Sequence, residues 1–128
     1  MIYLYFININ MTCFWDGIMK SLGIRSSPLE FVKMLKNKAV ITRDVLWNNI
    51  EISEKQLDEN YNRVINLDLN SINNGYDCST FEPFLFLVSQ LFQVDIKHHF
   101  MNNILYYKNK IRSIRTITVN SNRGHFWS

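Results

Sequence analysis

Phe81-Glu82-Pro83-Phe84-Leu85-Phe86-Leu87-Val88-Ser89-Gln90-Leu91-Phe92-Gln93-Val94-Asp95-Ile96-Lys97-His98-His99-Phe100 contains the point at which the chain changes character. Up to Phe92 the run is apolar almost all round, the composition of a helix buried in a core. Beyond it, Val94–Phe100, Ile104–Tyr107 and Ile114–Val119 are short β-branched or aromatic runs separated by Asn- and Lys-rich turns, which predict strands. Thr116-Ile117-Thr118-Val119 alternates as a half-buried strand does. Asn120–Gly124 then turns the chain, and His125-Phe126-Trp127 starts another strand.

Upstream of this point the chain reads helical. Phe14–Leu22 follows Cys13 directly and stops at Gly23. Ser27-Pro28 offers an N-cap with proline at the first helical position, and Glu30 sits where a capping box needs it. Phe31, Met34 and Leu35 give that helix its apolar stripe. Thr42–Asn48 reads as a short helical turn, and Ser53 caps a segment with Leu57, Tyr61, Val64 and Ile65 at helical spacing. Asn70–Asp77 is a loop, and Ser79 or Thr80 is the expected cap of the helix that follows. Helices first and a small antiparallel sheet last make an α+β layout.

The 128 residues fit one domain, 1–128. Met11 offers an alternative start, which would make residues 1–10 a dispensable extension. A hydrophobic fraction of 47% and an aromatic fraction of 14% favour a packed core over disorder. Ala39 is the only alanine, so helices here depend on tertiary packing. The abundance of Asn and Ile looks like AT-rich coding. A net charge of +3 is too mild to argue for nucleic acid or a membrane, and neither is expected as a partner.

Two cysteines, Cys13 and Cys78, make no disulfide framework. His98, His99 and His125 do not stand at zinc-ligand spacing with either, so no metal or other cofactor is expected. The apolar opening Met1–Ile7 lacks a basic flank and a cleavage site, and it is too short to span a membrane. The expected setting is therefore intracellular and cytoplasmic, with free thiols.

Cys13 lies at the mouth of an amphipathic helix carrying Phe14, Ile18, Met19 and Leu22. Unpaired N–H groups and the helix dipole favour a thiolate there. A small buried hydrophobe is the other reading of such a cysteine. His125 follows Gly124 at a turn-to-strand junction, where a ring can be held firmly and stay accessible. A cysteine at a helix start and a histidine at a strand start are the pair that thiol catalysis needs. His98 and His99 point to opposite faces of a strand, one exposed and one partly buried, and cannot share a site.

Cys13-Phe14-Trp15-Asp16-Gly17-Ile18 resembles the cysteine motif of ovarian-tumour (OTU) proteases, in which Cys precedes two large apolar residues and opens a helix. Gly75-Tyr76-Asp77-Cys78-Ser79 through Val88–Ile96 resembles that family's middle block. Ile117-Thr118-Val119 followed by Gly124-His125-Phe126-Trp127 is similar to its closing hairpin. The similarity runs in the right order over roughly residues 10–128. It departs from the family at two places. Asn10-Met11-Thr12 replaces the usual Asp-Gly-Asn before the cysteine, and Trp127 stands where the family's third catalytic Asp or Asn commonly lies.

The resemblance implies a papain-type fold and a cysteine-dependent deubiquitinase, with ubiquitin or a ubiquitin-like modifier as partner and a monomeric enzyme. It implies Cys13 as nucleophile and His125 as base, with Asn10, Asn120, Asn122 or a group missing from a truncated chain as the third member, or a dyad without one. Backbone N–H groups near Cys13 and residues 10–12 would hold the oxyanion. Thr12, Trp15, Phe126 and Trp127 would line a narrow cleft for glycines; the aromatics read equally as core. A catalytically silent OTU-like domain that binds ubiquitin or another protein is the alternative. A basic nucleic-acid-binding module is a third reading, which lacks an aromatic-basic motif. The lean length and the Asn/Ile bias suit a large DNA virus, which would place the protein in the host cytoplasm or the virion.

Overall fold

Gln93, in the left-handed region at φ 53°, is the single residue between the buried helix and the first long strand. The structure, a computed structural model, describes residues 12–73 and 78–128, with backbone alone for 78–80. Its elements are α1 Cys13–Leu22, α2 Pro28–Asn37, β1 Val45–Trp47, α3 Glu54–Ile65, a 3-10 turn at Leu69–Ser71 and α4 Cys78–Phe92. They are followed by β2 Val94–Phe100, β3 Asn103–Asn109, β4 Arg115–Ser121 and β5 Phe126–Trp127.

The helix boundaries follow local chemistry. α1 ends at Gly23, whose φ of 73° suits glycine, and the Gly23 N–H donates to the Lys20 carbonyl. The Ser27 hydroxyl accepts the Glu30 N–H at 3.2 Å, and the Ser53 hydroxyl accepts the Gln56 N–H at the same distance. α4 already begins at Cys78, so the cap expected at Ser79 or Thr80 falls inside its first turn.

Thr42–Asn48 is not helical. Val45-Leu46-Trp47 forms β1, and Asn48 and Asn49 take φ of 50° and 66° in a two-residue turn that bridges Trp47 to Ile50. Two successive left-handed residues make a hairpin turn, and asparagine tolerates that geometry better than any residue but glycine.

The five strands lie in the order β1-β3-β2-β4-β5. All neighbours are antiparallel except β2 and β4, which run parallel with Ile96 opposite Ile117 and His98 opposite Val119. The sheet is therefore mixed, not purely antiparallel as expected. β3 returns the chain to the end where β2 began, and residues 110–114 pass beneath β2 to start β4 on its other side. The Ile114 N–H reaches the Gln93 carbonyl during that crossing.

The fold is α+β, with α1 packed on β4 and β5 and α4 packed on β2 and β3. Ile96, Tyr107, Ile117, Val119 and Phe126 face this interior, while Thr118, Tyr106 and Trp127 face outward. An aromatic cluster joins the layers. Phe14 stacks on Phe81 at 4.8 Å and meets Phe126 at 4.7 Å, and Trp15 sets its edge against Phe84 at 5.0 Å. Each such side chain contributes roughly 1.5–3 kcal/mol on burial. Together they fix the start of α1 against β5.

A candidate thiol–imidazole site between the first helix and the last strand

Cys13 is the first residue of α1, and His125 immediately precedes β5. Both line one cleft of about 290 Å³, together with Asp16, Gly17, Lys20, Phe126, Trp127 and Ser128. The helical period explains the α1 contribution, because positions 13, 16, 17 and 20 share one face. Gly17 has no side chain to hold the strand away, which lets β5 approach. Asp16 and Lys20 were not among the residues expected at the site. Their spacing from Cys13 was the signal that could have found them.

Cys13 is largely buried, at 9% exposure. Desolvation pushes the thiol above the ordinary cysteine range, and the Asp16 carboxylate adds to the rise. The backbone N–H groups of Phe126 and Phe14 act in the opposite direction, favouring the thiolate, but burial prevails. The expected thiolate-favouring helix start is thus present and outweighed.

His125 owes its position to the turn before it. The Asn122 side-chain oxygen accepts the N–H of Gly124 at 3.0 Å and of His125 at 2.9 Å. The Asn122 N–H donates to the His125 carbonyl at 2.9 Å. The exposed imidazole stacks on Trp127, with ring centres 5.4 Å apart and planes 20° from parallel.

The other expected site residues divide. Trp15 is not a cleft wall: at 1% exposure it lies in the aromatic core, because its place on α1 points it at α4. Phe126 backs the cleft as a buried ring, and Trp127 stands at the lip, 42% exposed. Thr12 does not cap α1 through its side chain. Its hydroxyl donates to the Asp16 carboxylate at 2.7 Å, and it lines a second, larger cavity of about 500 Å³. The side chain of Asn122 is committed to the turn, and Asn120 lies on β4 opposite Trp127. Asn10 and the Cys78 side chain lie outside the described residues.

His98 and His99 do face opposite ways, both more buried than expected. His98 is fully enclosed and His99 half-buried. The His98 Nε2 meets the Ser121 hydroxyl at 2.6 Å, and its ring packs 5.6 Å from that of Phe126. It supports the wall behind the cleft without opening onto it.

Among the described residues, no group of three His, Cys, Asp or Glu could hold a metal ion. None of the described helices is long and apolar enough to cross a membrane. The chain matches no protein-family model, no curated protein and no solved structure.

Proposed function

We propose that this protein is a cysteine-dependent isopeptidase that cleaves after the C-terminal glycine of ubiquitin or a related modifier. The observation that supports this reading is the shared cleft: Cys13, at a helix start, and His125, just before a strand, both line it. The substrate class comes from the OTU-like arrangement of Cys13-Phe14-Trp15, Val88–Ile96 and Gly124-His125-Phe126.

In this reading His125 takes the Cys13 proton as the sulfur attacks the carbonyl carbon of the terminal glycine. Backbone N–H groups at the start of α1 face the developing oxyanion, where one donor is typically worth about 10²–10³ in rate. The C–N bond then breaks, and His125 returns its proton to the departing lysine amine. Water, deprotonated by His125, attacks the thioester; the acid leaves and the sulfur recovers its proton. A thiol of raised pKa is a strong nucleophile once deprotonated, so the base acts at the moment of attack. Trp127, stacked on His125, restricts the ring's rotation.

Ubiquitin carrying a C-terminal electrophile tests this. The expected result is a covalent adduct at Cys13, lost in Cys13→Ala and slowed at least tenfold in His125→Ala. An adduct that persists in Cys13→Ala would contradict the assignment. A second reading is supported by the raised thiol: a silent domain of the same shape that binds a modifier without cutting it. Binding of unmodified ubiquitin that survives Cys13→Ala, with no adduct in the parent protein, would favour that one.

A further inference from the structure

The net charge of +3 hides a segregation. All 11 acidic residues lie within residues 1–95, whereas residues 96–128 carry Lys97, Lys108, Lys110, Arg112, Arg115 and Arg123 without one acid. That basic stretch supplies β2 from Ile96 onward and the whole of β3, β4 and β5. An asymmetry of this kind marks a surface for an anionic partner.

The sheet turns one face to the helices and leaves the other exposed at Ile104, Tyr106, Lys108, Thr116, Thr118 and Trp127. On this outward face the register sets Ile104, His99, Asn120 and Trp127 in one row across four strands. Tyr106, Lys97 and Thr118 form the next row. The Tyr106 ring is 38% exposed and Trp127 42%. Lys97 stands beside Tyr106, and Lys108 is two residues further along β3. Neither lysine pairs with an acid among the described residues. Asp95, the acid at an outward position, has its carboxylate engaged by the Asn109 N–H at 2.9 Å. Register across strands makes this grouping, so no linear motif carries it.

Rings, cations and hydrogen-bonding groups therefore share one flat surface. An acidic peptide would use the lysines and leave the rings idle. A lipid surface would bury Thr116, Thr118 and Asn120 against acyl chains that offer them no partner. An unpaired nucleotide uses all three kinds of group: its base stacks on a ring, the base edge meets a hydroxyl or amide, and its phosphate meets a lysine. Tyr106 and Trp127 are three strand spacings and one row apart, roughly 16 Å, which a single strand of a few nucleotides covers.

We infer that the outward face of the sheet binds single-stranded nucleic acid, with bases stacked on Tyr106 and Trp127 and phosphates set against Lys97 and Lys108. This role goes beyond the isopeptidase reading and does not depend on it.

Fluorescence anisotropy of labelled oligouridylate and oligothymidylate, each about a dozen nucleotides long, tests the inference when the full chain is titrated over a salt series. Affinity should fall with salt, log K dropping by about 0.7 per contacted phosphate for each unit of log salt. Lys97→Ala and Lys108→Ala should each reduce that slope. Tyr106→Ala should weaken binding by about fivefold or more, the lower end for one lost base stack, and Tyr106→Phe should restore it. The better bound of the two oligonucleotides separates RNA from DNA. Absence of binding by both at low salt overturns the inference, as does affinity unchanged in Tyr106→Ala and in Lys97→Glu. A duplex of equal length bound as tightly as the single strands overturns it too, because paired bases hide their faces. Attachment to phosphatidylserine vesicles without any binding of oligonucleotide would assign the face to a membrane instead.

Discussion

The ring of Phe126 occupies the space that a side chain on Gly17 would need: a Cβ there would stand 2.8 Å from Phe126 Cδ1. Phe126 cannot retreat freely, because Phe14 lies 4.7 Å and His98 5.6 Å from its ring centre. Gly17→Ala should therefore destabilise the fold by about 1–3 kcal/mol through overpacking. Set against the ~1 kcal/mol gained in helix propensity, the net loss is up to about 2 kcal/mol. Urea unfolding measures it, and an alanine variant at least as stable as the parent would contradict it. Because Phe126 carries His125 and Trp127 on either side, the same variant should also label more slowly with the ubiquitin electrophile.

His98 should make the fold acid-sensitive. Burial, reinforced by the neighbouring charge of His99, lowers its pKa from 6.5 to about 4. Unfolding frees it to take up a proton near its ordinary value, so the folded state refuses a proton that the unfolded state accepts. The stabilisation is fully present above about pH 6.5 and disappears as pH falls towards about 4, a change of up to about 3 kcal/mol. Urea midpoints across that window give the slope, and His98→Gln should flatten it. A parent profile that is flat from pH 6.5 to 4 would exclude the effect.

Cys13 should alkylate with an alkaline profile. Its thiol lies above the ordinary cysteine range, so iodoacetamide modification, followed at Cys13 by peptide mass, should still be rising where a free cysteine has levelled off. Asp16→Asn removes one contributor to the rise and should shift the midpoint down. A midpoint below that of a free cysteine would show that the N–H groups of Phe126 and Phe14 outweigh burial.

Asn109 fastens the end of α4 to the start of β2. Its side-chain amide donates to the carbonyls of Ser89 and Val94, both at 3.1 Å, while its own N–H donates to Asp95 at 2.9 Å. Asn109→Ala removes the donor and leaves the Ser89 carbonyl short of it in a partly buried place. The expected cost is about 1–3 kcal/mol by urea unfolding. No measurable loss would mean that water replaces the amide.

Local signals were legible in the sequence, and relations between distant segments were not. Val94–Phe100 appears as a strand with the limits its β-branched and aromatic run predicts, and Gly23, Ser27 and Ser53 end or start helices as expected. Each depends on chemistry within a few residues. β1 escaped because three residues carry little periodicity and its turn, Asn48-Asn49, has no glycine. The parallel pairing of β2 with β4 depends on which side of β2 the chain crosses, which no local pattern states. Cys13 opens a helix and His125 immediately precedes a strand, the places their neighbouring residues predict. Trp15 stayed open between cleft wall and core because a tryptophan beside a candidate nucleophile looks the same in both. Only the helix's orientation towards Phe84 separates the two.

The closure of α1 on β5 also bears on how the protein comes into being. During synthesis Cys13 leaves the ribosome before His125, with nearly the whole of the fold between them. A partial translation product halted before Gly124 has α1 without β5 beside it. Contacts of such long sequence separation form late and slowly. The burial that raises the Cys13 thiol waits on β5 as well, so the thiol is more readily modified before the sheet is complete than after.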